Sequence, residues 1–149
     1  MNLSKGIEPI IAVVILIAVT LVIAIGVIGW IMGWWGTLGA TENLQFYPDS
    51  YINMSETQPR LILHVKNTGS ASAVIYKIEV AGIGTVTGTI DVTTTTTGAI
   101  TAGAEVTVGP GAEGTLVATL PGNAIAGANY LVKVYTRAGN VYSITVQAR

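Results

Sequence analysis

An uninterrupted apolar segment near the N-terminus constrains the fold of this chain most. Between Glu8 and Glu42 the sequence contains no Asp, Glu, Lys or Arg, and the 26 residues from Ile10 to Trp35 are apolar on every side of a helix rather than along one stripe. A helix of that length extends about 39 Å, which exceeds the ~30 Å hydrocarbon core of a bilayer. The segment is therefore predicted to span a membrane, because the rest of a 149-residue chain is too small to surround it.

The ends of this segment indicate that it is retained and how it is oriented. A secretory signal peptide has an apolar region of about 7–15 residues that ends at small residues, whereas this longer segment ends in Trp34, Trp35 and Gly36. Together with Trp30, the two terminal tryptophans are predicted to lie at the outer membrane interface. Lys5, at the opposite end, indicates a cytoplasmic start.

Composition narrows the classes of function. Charged residues make up only 10% of the chain, and seven basic against eight acidic side chains give a formal charge of -1. This balance disfavours nucleic acid as a partner. The chain has no cysteine and one histidine, which excludes disulfides, thiol chemistry and metal sites that need two imidazoles. We expect no enzyme activity, no metal, no cofactor and no small-molecule substrate.

The composition changes between Thr37 and Thr41, where Gly, Thr, Ser, Asn and Pro begin to separate short β-branched runs. Turn signals such as Asn67-Thr68-Gly69 and Ala138-Gly139-Asn140 divide these runs. The predicted strands are Gln45–Ile52, Arg60–Lys66, Val74–Ala81, Gly84–Ile90, Ala104–Val108, Gly114–Leu120, Tyr130–Thr136 and Val141–Gln147. The predicted fold class is α+β: one long N-terminal hydrophobic helix followed by an all-β, immunoglobulin-like sandwich head.

Polar residues within the head do not form a catalytic pattern. His64 lies among Leu61, Leu63 and Val65 on a predicted strand, and it is interpreted as a surface or hydrogen-bonded side chain rather than a metal ligand. Glu105 and Glu113 flank a turn, where solvated charges are usual, and no catalytic role is assigned to them. The six tyrosines alternate as strand packing requires, so the sequence predicts no aromatic recognition site.

The join Lys5-Gly6-Ile7-Glu8-Pro9, followed directly by the apolar run, resembles the N-terminus of archaeal type IV pilins. In that family a class III signal peptide ending in Gly is removed by a prepilin peptidase, which implies cleavage between Gly6 and Ile7. The resemblance implies a leader over residues 1–6, a membrane and filament-core helix over 7–36, and an extracellular β-sandwich head over 37–149. Three alternatives remain for residues 1–6: they are removed, they are retained, or the leader lies upstream of Met1.

The resemblance implies a structural subunit that polymerises through its helix into an extracellular filament for adhesion or cell contact. Its partners would be identical subunits, the cytoplasmic membrane before assembly, the prepilin peptidase and the pilus assembly machinery. Two alternatives stay open. The chain could be an archaellin of a swimming filament, or a membrane-anchored β-sandwich that binds a ligand.

Within the helix, two features are candidates for a role in assembly. Gly26, Gly29 and Gly33 either permit close packing of neighbouring helices or make the helix bend where it leaves the membrane. Glu8 either stabilises the start of the helix or pairs with a neighbouring subunit's N-terminus, or with Lys5 if the leader is kept.

Two parts of the head are candidate sites of glycosylation. Asn53-Met54-Ser55 is an N-glycosylation sequon, and the head is predicted to face outside. The five consecutive threonines Thr93, Thr94, Thr95, Thr96 and Thr97 are predicted to form a solvated β-edge and loop, and they are candidates for O-linked sugar.

Overall fold

The computed structural model describes residues 4–86 and 88–149, and for residues 4 and 35–38 it describes the backbone alone. The chain divides into two compact units, with the boundary between Ala40 and Thr41. The first contains a single helix, α1 (Ser4–Leu38). The strands of the second are β1 (Leu44–Phe46), β2 (Tyr51–Asn53), β3 (Arg60–Asn67), β4 (Ala73–Val80), β5 (Gly84–Thr85), β6 (Asp91–Thr97), β7 (Ile100–Thr101), β8 (Val106–Val108), β9 (Glu113–Thr119), β10 (Asn129–Thr136) and β11 (Val141–Ala148). The predicted order, a long apolar helix followed by a β domain, is confirmed.

Helix α1 satisfies its one central polar side chain, Thr20, by hydrogen bonds within the helix. Its backbone is hydrogen-bonded along the helix, and the Thr20 hydroxyl donates to the carbonyl oxygens of Leu16 and Ile17 at 2.9 Å each. In the uncut chain the helix extends from Ser4 to Leu38, and the bounds 7–36 given for a processed subunit stay a prediction. Pro9 therefore lies inside the helix instead of in its first turn, and it leaves one carbonyl of the preceding turn without a backbone donor.

The strands of the head follow one path, β6-β9-β3-β2-β11-β10-β4-β8-β7, with β1 paired to β3 and β5 paired to β4. All pairs are antiparallel except β2 with β11. The path curls back on itself, because Ile90, just before β6, forms a bridge with Gly103, just after β7. The sheet therefore encloses one apolar core.

Alternation along the strands places apolar side chains in that core. Leu61, Leu63 and Val65 on β3 are buried, as their spacing predicts, and so are Val132 and Val134 on β10. The period of two places the neighbouring Leu131 on the opposite face, where 40% of its surface is exposed. The run Leu131, Val132 and Val134 predicts one apolar face on this strand, but the exposure of Leu131 shows that it is not a core residue.

Three predicted strands differ in the structure. The run Gln45–Ile52 is divided into β1 and β2, because a turn at Pro48 and Asp49 interrupts it. The run Gly84–Ile90 forms a two-residue β5, and part of it lies outside the described residues. The run Ala104–Val108 begins only at Val106, in β8.

Candidate assembly surface

The candidate functional surface is helix α1 itself. Lys5–Trp34 is the one described helix that is long and apolar enough to cross a membrane, and no part of its most apolar stretch is buried within the chain. The large apolar side chains that the structure describes on this helix are between 39% and 72% exposed. At 1.5 Å per residue, these 30 residues extend about 45 Å. So long an apolar surface, exposed on every side, requires lipid or other protein to cover it.

The three candidate glycines lie on one side of this helix. At about 100° per residue, Gly26, Gly29 and Gly33 fall within an arc of roughly 60°. A methyl group placed on any of them would have no heavy atom within 4 Å in the described chain. They are therefore not needed for packing within the subunit, and their role in helix contacts or bending stays a prediction.

Aromatic side chains cluster at the C-terminal end of α1. The rings of Trp30 and Trp34 stack with their centroids 5.9 Å apart and 18° between their planes. The side chain of Trp35, the third member of the predicted cluster, lies outside the described residues. The stacked pair presents apolar surface with polar indole N–H groups, a combination typical of membrane interfaces.

The N-terminal end of α1 carries the predicted cleavage and register residues. Gly6 has open space around it, and Ile7 is 52% exposed, so the peptide bond between them lies at the surface of the chain. Among the described residues, Lys5 and Glu8 form no ion pair with each other. Both the cleavage and the pairing of Glu8 stay predictions.

A polar network lies on the outer side of β3. His64 Nδ1 is 3.0 Å from an Asp49 carboxylate oxygen, and His64 Nε2 is 3.3 Å from a Glu113 carboxylate oxygen. The imidazole stacks on the Tyr47 ring, whose hydroxyl donates to Glu113 at 3.3 Å. Lys66 completes the network with an ion pair to Glu113 of 3.1 Å. His64 is hydrogen-bonded, as predicted, and the network fastens the β1–β2 loop to β3 and β9.

The two carboxylates that flank the turn between β8 and β9 have separate partners. Glu105 binds the Arg137 guanidinium through both of its oxygens, whereas Glu113 binds Lys66, His64 and Tyr47. Solvated charges are usual at such a turn, but here both carboxylates are paired, and the Glu113 side chain is only 19% exposed. Within the described residues, no group of three His, Asp or Glu side chains has an arrangement that could hold a metal ion.

Ion pairs shift the titration of several head residues in consistent directions. A hydrogen bond from Lys66 lowers the pKa of Glu113, and the same contact raises the pKa of Lys66. Hydrogen bonds from Lys77 and Tyr135 lower the pKa of Glu79. A hydrogen bond from Arg137 lowers the pKa of Glu105. These carboxylates therefore favour the charged form in the folded head.

These shifts predict that the head loses stability in acid. Because Glu79, Glu105 and Glu113 have lower pKa values folded than unfolded, their contribution is present above about pH 4.5 and is lost as the pH falls through their folded pKa values. The midpoint temperature of thermal unfolding should therefore decrease as the pH is lowered below about 4.5. Near-UV circular dichroism measures this, and a Glu113→Gln variant should show a shallower acid decline; an equally steep decline would contradict the assignment.

The candidate glycosylation sites are a half-buried asparagine on β2 and a row of exposed threonines on β6. Asn53 ends β2, and its side-chain oxygen accepts a hydrogen bond of 2.9 Å from the Ser55 amide. The threonines Thr93 to Thr97 form most of β6 and are all exposed. Pairing with β9 shifts register twice along β6, which bends this strand at the end of the sheet. The predicted β-edge is confirmed, and modification at either position stays a prediction.

Comparison with known proteins gives one kind of match. No protein-family model matches the chain, and no curated protein sequence matches it. Nine chains of solved structures do match it. One of these comes from "The archaeal flagellum of Methanospirillum hungatei strain JF1", with a TM-score of 0.48 and 18% sequence identity, over 99% of this chain and 94% of that chain.

Proposed function

We propose that this chain is a structural subunit that polymerises through α1 into an extracellular, type IV pilus-like filament of an archaeal cell. One observation carries the proposal: a helix of about 45 Å, which has no charged side chain after Glu8, exposes its described large apolar side chains, and the head has a hydrophobic core of its own. A helix apolar on every side is stable in a bilayer, and it is also stable in a bundle of identical helices.

Assembly then transfers α1 from lipid to neighbouring copies of itself. Lipid tails are as apolar as the helix, so close packing and interhelical contacts have to favour the bundle. The arc formed by Gly26, Gly29 and Gly33 would let neighbouring backbones approach closely. Once the filament leaves the membrane, each Å² of apolar surface kept from water contributes about 25 cal/mol. The hydrophobic effect therefore stabilises the extracellular polymer without covalent links.

Processing by a prepilin peptidase is part of the proposal, and Pro9 gives it a physical reason. In the unprocessed helix, Pro9 lies in the interior, where proline costs about 3 kcal/mol relative to alanine. Cleavage between Gly6 and Ile7 would make Pro9 the third residue of the subunit. In the first turn the missing N–H of proline costs nothing, because those amides have no helical partner.

Glu8 would act at this new N-terminus. After cleavage it would be the second residue, and its carboxylate would be the only charged side chain before Glu42. We propose that it pairs with the N-terminal ammonium group of a neighbouring subunit and so sets the axial register of the helices.

The register role makes Glu8 a target for substitution. Glu8→Ala should reduce the yield of filaments at least tenfold, because an ammonium group in the apolar core would lose its partner. Membrane insertion should persist, since the apolar segment is unchanged. Counting filaments by electron microscopy and measuring subunit in the membrane fraction checks both points, with Glu56→Ala in the head as the control. Normal filament numbers in Glu8→Ala cells would reject the register role.

Sugars would complete the outer surface of the filament. We propose Asn53 as an N-glycosylation site and the threonines of β6 as O-glycosylation sites, because both are accessible on the folded head. Glycans there would hydrate a head that has few charged side chains. Replacing Asn53 by Gln would remove the mass of one N-glycan from the mature subunit.

Electron microscopy and mass spectrometry of one preparation test the proposal. Filaments sheared from the source cells should contain this chain as their main subunit, with Ile7 as its first residue and with excess mass from glycans. If the chain is recovered only from detergent-solubilised membranes, as a monomer or small complex, the filament proposal is wrong. The chain would then be a membrane-anchored binding module. Swimming by a deletion strain separates a pilus from an archaellum.

A further inference from the structure

The chain enters the head through three residues, Thr41–Asn43, which we term the entry segment. Its backbone binds the turn between β3 and β4. The Thr41 carbonyl accepts hydrogen bonds from the amides of Ser70 at 2.8 Å and Ala71 at 3.1 Å, and the Asn43 carbonyl accepts one from Thr68 at 2.8 Å. These bonds extend the pairing of β1 with β3 back to the first residue of the head unit.

Contact between the turn and the entry segment is too close for any side chain at Gly69. A Cβ atom added there would lie 2.2 Å from the Thr41 carbonyl oxygen and 2.6 Å from the Asn43 amide nitrogen. Both of these atoms belong to the backbone, which a rotamer change does not move. Glycine at this position is therefore required by the close approach of two backbones.

A buried asparagine holds the turn in this position. Asn67 is fully buried, and its side-chain oxygen accepts hydrogen bonds from the amides of Gly69 at 2.9 Å and Asn43 at 3.4 Å. Its side-chain nitrogen donates to the carbonyl oxygens of Ala71 at 2.8 Å and Val108 at 3.0 Å. The turn is thereby fastened to β8 as well as to the entry segment.

Glu42 attaches the entry segment to a second element, the hairpin of β10 and β11. One carboxylate oxygen accepts hydrogen bonds from the Asn140 amide group at 2.9 Å and from the Thr136 hydroxyl. The Glu42 carbonyl accepts a bond of 3.4 Å from the Tyr142 hydroxyl. Hydrogen bonds to a carboxylate are stronger than those between neutral groups.

We propose that the entry segment is a mechanical clamp, which keeps the head folded when the head is pulled away from its helix. The inference rests on the proposed function: in a filament, α1 would be held in the core, and a pull on the head would pass through residues 39–43. Strand β1 has three residues and would resist peeling poorly alone. The entry segment is bound to both the β3–β4 turn and the β10–β11 hairpin. A pulling force therefore has to break both sets of hydrogen bonds before it acts on β1.

Limited proteolysis tests whether these hydrogen bonds protect the entry segment from cleavage. A glutamate-specific protease acts on the full-length chain in detergent micelles, and cleavage after Glu42 is compared with cleavage after Glu56, which is 49% exposed. In the unmodified chain, Glu42 should be cut much more slowly than Glu56. Thr136→Val, which keeps the shape but removes the hydroxyl donor, should accelerate cleavage after Glu42 about tenfold. Thr145→Val, at an exposed position on β11, is the matched control and should leave the rate unchanged.

Gly69→Ala is the second variant, and its methyl group should push the entry segment away from the β3–β4 turn. It should accelerate cleavage after Glu42 without changing cleavage after Glu56. The clamp is overturned if Glu42 is cut as fast as Glu56 in the unmodified chain, if neither variant changes its rate, or if the rates at both sites rise equally. Micelles do not require polymerisation, so these results stand whether or not filaments are found.

Force spectroscopy tests the mechanical part directly. The full-length chain, tethered through its two termini, should begin to unfold at a lower force in Thr136→Val than in the unmodified chain or in Thr145→Val. Equal forces in the three chains would overturn the mechanical role even if proteolysis showed a closed segment.

Discussion

Replacing Val22 by lysine should eliminate filaments while the head remains folded. Val22 lies near the middle of α1, and 71% of its surface is exposed in the isolated subunit. A lysine at the centre of a membrane helix costs about 2.5–3.5 kcal/mol for insertion. In a helix bundle the same ammonium group would be buried without a partner, at a comparable or larger cost for every subunit. Filament yield should therefore fall more than 100-fold.

Two controls isolate the effect of charge in this experiment. Val22→Leu keeps the position apolar and should give filaments in normal number. All six tyrosines lie in the head, and all three tryptophans lie in or next to the apolar helix. The near-UV circular dichroism of Val22→Lys, to which the tyrosines of the head contribute, should match that of the unmodified chain. Normal filament numbers in Val22→Lys would show that α1 is not buried in the polymer.

The second large effect is expected in the core of the head. Leu63 is 1% exposed and lies on β3, the strand that pairs with β9, β2 and β1. Leu63→Ala removes buried apolar surface and leaves a cavity, which together cost about 2.7–5 kcal/mol. For a head of this size, the midpoint of thermal unfolding should fall by roughly 10–20 °C.

An exposed leucine on the same sheet provides the matched control for this cavity. Leu131 is 40% exposed, and Leu131→Ala should change the unfolding midpoint by no more than about 2 °C. Thermal unfolding followed by near-UV circular dichroism compares the two variants with the unmodified chain. If Leu63→Ala unfolds at the same temperature as the unmodified chain, Leu63 is not in the core. A fall as large in Leu131→Ala would contradict the outward placement of Leu131.

Much of the fold follows from local sequence pattern. Absence of charge between Glu8 and Glu42 is enough to predict α1, because no other structure satisfies the backbone of so long an apolar segment in lipid. Alternation in Leu61, Leu63 and Val65 predicts a strand with one buried face, and the structure has β3 there. In the unprocessed chain α1 includes Ser4 to Gly6, so Pro9, which is typical of a first turn, lies inside the helix.

Strands without alternation are harder to predict. Five consecutive threonines carry no apolar period, so β6 was expected only as an edge and loop, and the two-residue β7 gives no signal at all. Pro48 lies inside an otherwise strand-like run, and the turn there separates β1 from β2.

Contacts that join distant parts of the chain could not be predicted. Glu42 binds Thr136 and Asn140, which follow it by 94 and 98 residues. Gly69 belongs to a predicted turn, but the sequence does not show that another backbone lies against it. The network that joins His64 to Asp49 and Glu113 depends in the same way on which strands become neighbours. Strand pairing decides these contacts, and pairing is not encoded locally.

A cryo-electron microscopy reconstruction of the sheared filaments tests the central claim most directly, because it shows what covers α1. The proposed function predicts a core of α-helices in which residues 10–34 of each subunit contact the same residues of its neighbours, with β heads on the outside. A core built from the β heads, with the apolar helices outside it or bound to lipid, would contradict the claim that α1 holds the subunits together.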